Sequence, residues 1–302
     1  MKKLVLFAVL SLACNLAISK EKMIPLSEAD AAALAGKTVA LTVHERPSFA
    51  AMTAGKVTFG LLGSAAMVSA GNKLIEEHDV QDPAEIVRSQ LSQALHDTYA
   101  AQLMPVDTTT TKAKKPKDLA ALHPDADYVM DVRSGGWMYS YYPTRWGTYW
   151  VSYSVQVQLI DTKTARQVSN VACNASTHEN PKAPSREQLH ADGAKLLKDV
   201  TASLGWTCVQ ILAKEQFRFP AEHVAATPIA LVDPLAGIEQ IATDPQQSTA
   251  APENVAPQSP SDTGTAPITP EADAKNPDAE QHPAIAPATT ETEGAQEGGS
   301  RD

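Results

Sequence analysis

The 302-residue chain has little of what marks a site of chemistry. Its eight histidines are scattered, without the short paired spacing that metal sites use. No Gly-x-Ser-x-Gly elbow occurs, and Gly55-Lys56-Val57-Thr58 lacks the upstream glycine and the Lys-Ser/Thr pair of a phosphate-binding loop. No basic cluster suits nucleic acid. No apolar run reaches the roughly 20 residues that span a bilayer. Metal, cofactor and nucleic-acid chemistry are therefore not expected, and the chain is read as a non-enzyme.

Cysteine is also scarce, with only Cys14, Cys173 and Cys208. The first lies at the end of the longest apolar run, residues 4–13, which follows Lys2 and Lys3. A charged start and a short apolar core read as an export signal over residues 1–19. The stretch Leu10-Ser11-Leu12-Ala13-Cys14 resembles the lipobox of bacterial lipoproteins. That resemblance implies cleavage before Cys14, acylation of its thiol by palmitate-type chains, and a stable membrane tether. Asn15 is not the aspartate that resembles an inner-membrane retention signal, so the expected address is the outer membrane, facing the periplasm. The competing reading cleaves after Ser19 and releases a soluble periplasmic protein. With Cys14 acylated or removed, Cys173 and Cys208 are left as an even pair in an oxidising compartment, where a disulfide persists. Two buried free thiols are the alternative.

Charge is unevenly spread. Residues 221–302 hold fourteen acidic and two basic residues, eleven of the 21 prolines and no aromatic. Such a segment cannot bury enough apolar area to offset its ordering entropy, so residues 220–302 are expected to form a disordered acidic tail rich in Pro, Ala and Thr. Residues 24–219 are then long enough for one α/β domain.

Within that domain, Val39, Leu41 and Val43 alternate as a strand. Asp82-Pro83-Ala84-Glu85 opens a helix: an Asp cap, a proline at the first position and an acidic third residue. Residues 126–133 read as a strand with Tyr128, Met130 and Val132 inward, and residues 150–160 as another with one wet face. A turn at 161–164 leads to an antiparallel partner over 166–174. Ser185 and Gln188 form a capping box opening a helix to about Lys214. The expected order is β-α-β-α-β-β-β-α, a mixed β-sheet with helices packed mainly on one face.

The strand of Val39 and Val43, the opener Ala126-Asp127-Tyr128-Val129, and Leu159-Ile160-Asp161-Thr162-Lys163-Thr164 carry a resemblance to uncharacterised bacterial lipoproteins. More distantly they resemble the curli-secretion lipoprotein, the lipoprotein activators of penicillin-binding proteins, and the N-terminal domain of the Tol-system propeller protein. Ala165 stands where these proteins usually place a glycine. The resemblance implies a non-enzymatic accessory role in the cell envelope through binding of protein partners. A subunit of an oligomeric secretion or pore assembly, and a module binding peptidoglycan or lipopolysaccharide, stay open as alternatives.

Two segments stand out as candidate surfaces. Residues 49–71 form an insertion with no charge over 57–70 and many small side chains. It is read as a buried connecting helix, as an arm docking on a second copy, or as an element touching membrane. The other is the aromatic stretch, with three of the four tryptophans and five of the seven tyrosines within residues 137–153. Trp137, Tyr139, Tyr141, Tyr142, Arg145, Trp146, Tyr149 and Trp150 are its candidate partner-binding residues, against the alternative of cross-strand pairs that only stabilise a hairpin.

Overall fold

The longest strand sets the architecture. Along β7 (Arg145–Asp161), Val151, Tyr153, Val155, Val157 and Leu159 are all buried, while Ser152, Ser154 and Gln156 on the opposite face are partly exposed. Period-two alternation of this kind requires a core on one side of a sheet. The computed structural model describes residues 22–54 and 60–238. The expected export signal with Cys14, and the chain from 239 onward, lie outside the described residues.

β7 pairs antiparallel with β6 (Tyr128–Tyr142) on one side and β8 (Arg166–Ser176) on the other. Three short strands add in parallel: β1 (Thr38–Leu41) beside the first half of β6, β3 (Phe49–Ala51) beside its second half, and β4 (Gln102–Leu103) outside β1. The order is β4-β1-β6-β7-β8, with β3 joining β6. β2 (Val43–His44) and β5 (Thr110–Thr111) form a separate parallel pair. The chain is thus a mixed α/β fold, as expected, with additional small elements.

Helices cover the inner face. α3 (Ala84–Tyr99) buries Val87, Leu91, Ala94 and Leu95, and α5 (Arg186–Ile211) buries Leu197, Val200, Leu204 and Val209. Each such aliphatic side chain contributes about 1.5–3 kcal/mol by leaving water. Cys173 on β8 is bonded to Cys208 on α5 with Cα atoms 5.6 Å apart, tying the sheet to its covering helix. On the outer face α4 (Pro116–Leu122) packs, placing Leu119 and Ala120 against Ile160. It covers the half of the sheet where β6 begins and does not reach the other half.

Several expectations are corrected. A short helix, α1 (Glu28–Ala33), precedes β1 because the Ser27 hydroxyl accepts from the Asp30 amide. The insertion at 49–71 is partly sheet: Phe49 is fully buried and β3 belongs to the main sheet. It continues, after residues 55–59, into α2 (Gly60–Glu77), where Met67 is buried and Val68 exposed. The helix from Ser185 keeps its capping box but is broken, since Asp192, Gly193 and Ala194 adopt φ of 52°, 65° and 57°. The tail boundary at 220 also moves. Residues 220–238 carry two short 3-10 turns, Leu235 enters the core, and Lys182 binds Asp233 at 2.9 Å. Buried Leu235, the partly buried Val224, Leu231 and Ile238 against the core, the Lys182–Asp233 pair, and Gln210 Nε2 donating to the Ala225 carbonyl at 2.8 Å hold a segment whose composition alone gives no reason to fold.

Ala165 occupies the turn between β7 and β8 with φ of 54°, the left-handed region glycine favours.

Candidate functional site

Gly135 decides where the aromatic residues go. It is the extra residue of a β-bulge in β6, between Ser134 opposite Val155 and Gly136 opposite Ser154. A Cβ at Gly135 would lie 2.8 Å from the Ser154 hydroxyl, so the kink suits glycine. One inserted residue shifts the face of everything after it. Before the bulge the even positions Tyr128, Met130 and Val132 point inward; after it the odd positions Trp137 and Tyr139 do.

The aromatic stretch is therefore divided between the two faces. Trp137, Tyr139 and Tyr149 are buried in the core, with Trp137 at 3% exposure and Tyr139 at 1%. Phe49 meets Trp137 edge-on at 5.1 Å, and Tyr139 meets Tyr149 edge-on at 5.4 Å. The Trp137 indole nitrogen donates to the Pro47 carbonyl at 3.0 Å. Burial pushes the Tyr139 hydroxyl up to about 12, and its oxygen lies 3.1 Å from His190 Nε2. The bulge turns Trp137 and Tyr139 into the core, and Tyr149 follows the inward alternation of β7 with Val151 and Tyr153. Tyr141 packs partly buried against the same core.

Tyr142 and Trp150 lie on the opposite, outer face. The Tyr142 hydroxyl donates to the His178 carbonyl at 2.9 Å, and the Arg145 guanidinium sits 5.1 Å from the Tyr142 ring centre. Trp150 is partly exposed and meets the His178 ring edge-on at 5.2 Å. Trp146 lies at the start of β7; its side chain is outside what the structure describes.

Next to this aromatic end, the half of the sheet that α4 does not reach forms a shallow trough of about 440 Å³ between β3 and β8. Ala50, Met138, Ser152, Ser154, Asn174 and Ser176 line it, and no charged side chain does. Gly136 and the short serines keep its floor low, so another backbone can approach the sheet closely. α4 ends before reaching it. The trough is mostly legible as the wet face of β7, but its floor on β6 depends on the bulge and is not.

A second, polar pocket of about 390 Å³ lies where α3 begins, between β2 and β6. The fully buried Asp131 accepts from Thr42 Oγ1 at 2.6 Å and Arg133 at 3.1 Å, and lies 2.5 Å from His44 Nε2. Nearby, Asp82 accepts from the Ser134 hydroxyl at 2.5 Å and the Ala84 amide at 2.9 Å. Burial raises the Asp82 carboxyl above its ordinary range, against the pull of Ser134, the Ala84 amide, Arg46 and Arg88. The Tyr153 hydroxyl, 3.2 Å from Ser134, is raised strongly by burial beside Asp82. Sequence reasoning missed the His44–Asp131 pair, since 87 residues separate its members and neither carries a local motif. Each carboxylate accepts from internal donors, so the network clamps β2 and the helix start to β6. Among the described residues there is no group of His, Cys, Asp and Glu that could hold a metal ion, and no helix long and apolar enough to cross a membrane.

No family model and no curated protein matches the chain. Among solved structures it is similar to lipoprotein GNA1162 of Neisseria meningitidis, at 12% identity over 53% of this chain and 92% of that one, with a TM-score of 0.24. It is similar to the hypothetical protein CT253 of Chlamydia trachomatis at 12% identity, covering 60% and 96%, with a TM-score of 0.32. It is similar to the PelC dodecamer of Paraburkholderia phytofirmans at 14% identity, covering 61% and 89%, with a TM-score of 0.25. Similarities of this size assign the chain to no family.

Proposed function

We propose that the chain is a non-enzymatic, lipid-anchored accessory protein of the cell envelope that holds a protein partner against the outer face of its sheet. The observation that carries this is the charge-free trough between β3 and β8, whose Ser152 lies two residues along β7 from the partly exposed Trp150. A sheet face that α4 does not reach, low enough for close backbone approach and followed along β7 by a partly exposed tryptophan, has the composition of an interface centre: uncharged, with an aromatic residue beside it. The Cys173–Cys208 bridge and the export signal support an oxidising compartment outside the cytoplasm. The lipobox at Cys14 supports a tether to the outer membrane.

Two substitutions test the reading. Cys14→Ser releases the protein from membranes if Cys14 carries the lipid; unchanged fractionation removes the anchor. Ser154→Arg places a charge on the trough floor, and partner recovery from envelopes cross-linked before lysis then falls at least about tenfold, the loss of about 1.4 kcal/mol. Equal recovery from a folded Ser154→Arg variant sinks the proposed docking face.

A further inference from the structure

The polar pocket at the start of α3 holds a guanidinium that the clamp does not use. Arg88, one turn into α3, has only 16% of its side chain exposed, yet among the described residues nothing accepts a hydrogen bond from it. Its ion pair with Glu85 is a 4.0 Å approach to a side chain that is 71% exposed. Such a pair contributes little, while a largely buried guanidinium carries five N–H donors that need acceptors. Arg46, just after β2, lines the same pocket. It donates to the Val80 carbonyl at 3.2 Å and forms no ion pair among the described residues.

The nearby carboxylates do not answer these two groups. Asp131 is held by Thr42, His44 and Arg133, and Asp82 by the Ser134 hydroxyl and the Ala84 amide. Burial of Asp82 also favours its uncharged form, which weakens its opposition to an incoming anion. We propose that this pocket binds the phosphoryl group of a small ligand, with Arg88 and Arg46 as its two cationic partners. A guanidinium fork matches the oxygens of carboxylates and phosphates through parallel hydrogen bonds. A carboxylate has two oxygens and one charge, which one fork satisfies. A phosphate monoester brings three terminal oxygens and a charge of about −2, which calls for two. The volume of about 390 Å³ exceeds what a bare ion fills and lies in the range of small-molecule sites. Gln81 and Ser134 on its wall supply polar contacts for the rest of the molecule. The site shares no lining residue with the trough.

Titration of the mature protein with sodium phosphate at constant ionic strength, followed by NMR at the arginine Nε–H groups and backbone amides, tests this. The Arg88 and Arg46 signals are expected to shift together and to saturate. Affinity is expected to fall at least about tenfold in Arg88→Gln and in Arg46→Gln, the loss of a hydrogen-bonded charge partner. Arg46 is exposed, so Arg46→Gln keeps the result decisive if Arg88→Gln does not fold. Glycerol phosphate, titrated in parallel, separates the sources: tighter binding than inorganic phosphate identifies an ester as the ligand, and equal binding identifies the free ion. Shifts that rise without saturating, that chloride reproduces, or that persist with equal affinity in folded Arg46→Gln overturn the site. Acetate binding as tightly as phosphate overturns the phosphoryl assignment.

Discussion

Gly71 of α2 packs directly on Phe49 of β3. A Cβ at Gly71 would collide with the Phe49 carbonyl oxygen and lie 2.8 Å from its carbon and 2.9 Å from the Ala51 amide. This approach lets Asn72 accept from the Phe49 amide at 2.9 Å, so the helix satisfies the outer edge of β3. Gly71→Ala is predicted to destabilise the domain by about 1–3 kcal/mol in denaturant unfolding, the range for overpacking a tight contact. Gly147→Ala, where nothing lies within 4 Å, serves as the neutral comparison.

The two faces of the aromatic hairpin should separate under substitution. Trp137→Ala removes a buried ring and should cost about 3–5 kcal/mol in stability. Trp150→Ala should leave unfolding within about 1 kcal/mol of the natural protein while reducing partner recovery, as expected of a partly exposed anchor. Equal destabilisation by both would mean that the hairpin is a single structural cluster.

The raised Asp82 carboxyl gives a signed pH dependence. The folded state holds this proton more tightly than the unfolded chain, so its contribution is complete below the ordinary value of 3.8 and is lost as pH rises through the raised value. Asp82→Asn keeps an acceptor for Ser134 and the Ala84 amide but cannot ionise. Stability of the variant relative to the natural protein should increase as pH rises from about 4 and then level off. A difference that is flat with pH would show that burial does not govern this group.

Reduction of the Cys173–Cys208 bridge, or the paired change Cys173→Ala with Cys208→Ala, opens a closure across 35 residues. The expected loss is about 3–4 kcal/mol on the chain-entropy model, read as a lower denaturant midpoint. Insensitivity of the natural protein to reductant would contradict the bridge.

Much of the meander was readable because its residues obey one period. The alternation along β7 appears in the structure with its inward residues buried, and Ser185 with Gln188 makes both hydrogen bonds of the capping box, at 3.2 and 2.8 Å. What was not readable depends on single residues that change phase. Gly135 shifts the face of β6, and with it Trp137 and Tyr139, by a bulge that a hydrophobic pattern cannot locate. Asp192 and Ala194 adopt left-handed angles that break α5 although neither is a glycine. His44 meets Asp131 only because β2 and β6 are brought together by strands far apart in sequence. The trough is legible on its β7 side and hidden on its β6 side for the same reason.

The central claim is that a protein partner docks on the outer face of the sheet. The most direct measurement places a photo-reactive amino acid at Met138, in the trough, and separately at Lys73, on the exposed side of α2, and irradiates intact envelopes. The account predicts a discrete protein adduct from position 138 that is absent from position 73 and is lost on adding Ser154→Arg. Adducts of equal yield from both positions, or none from position 138 in a folded, exported protein, would contradict it.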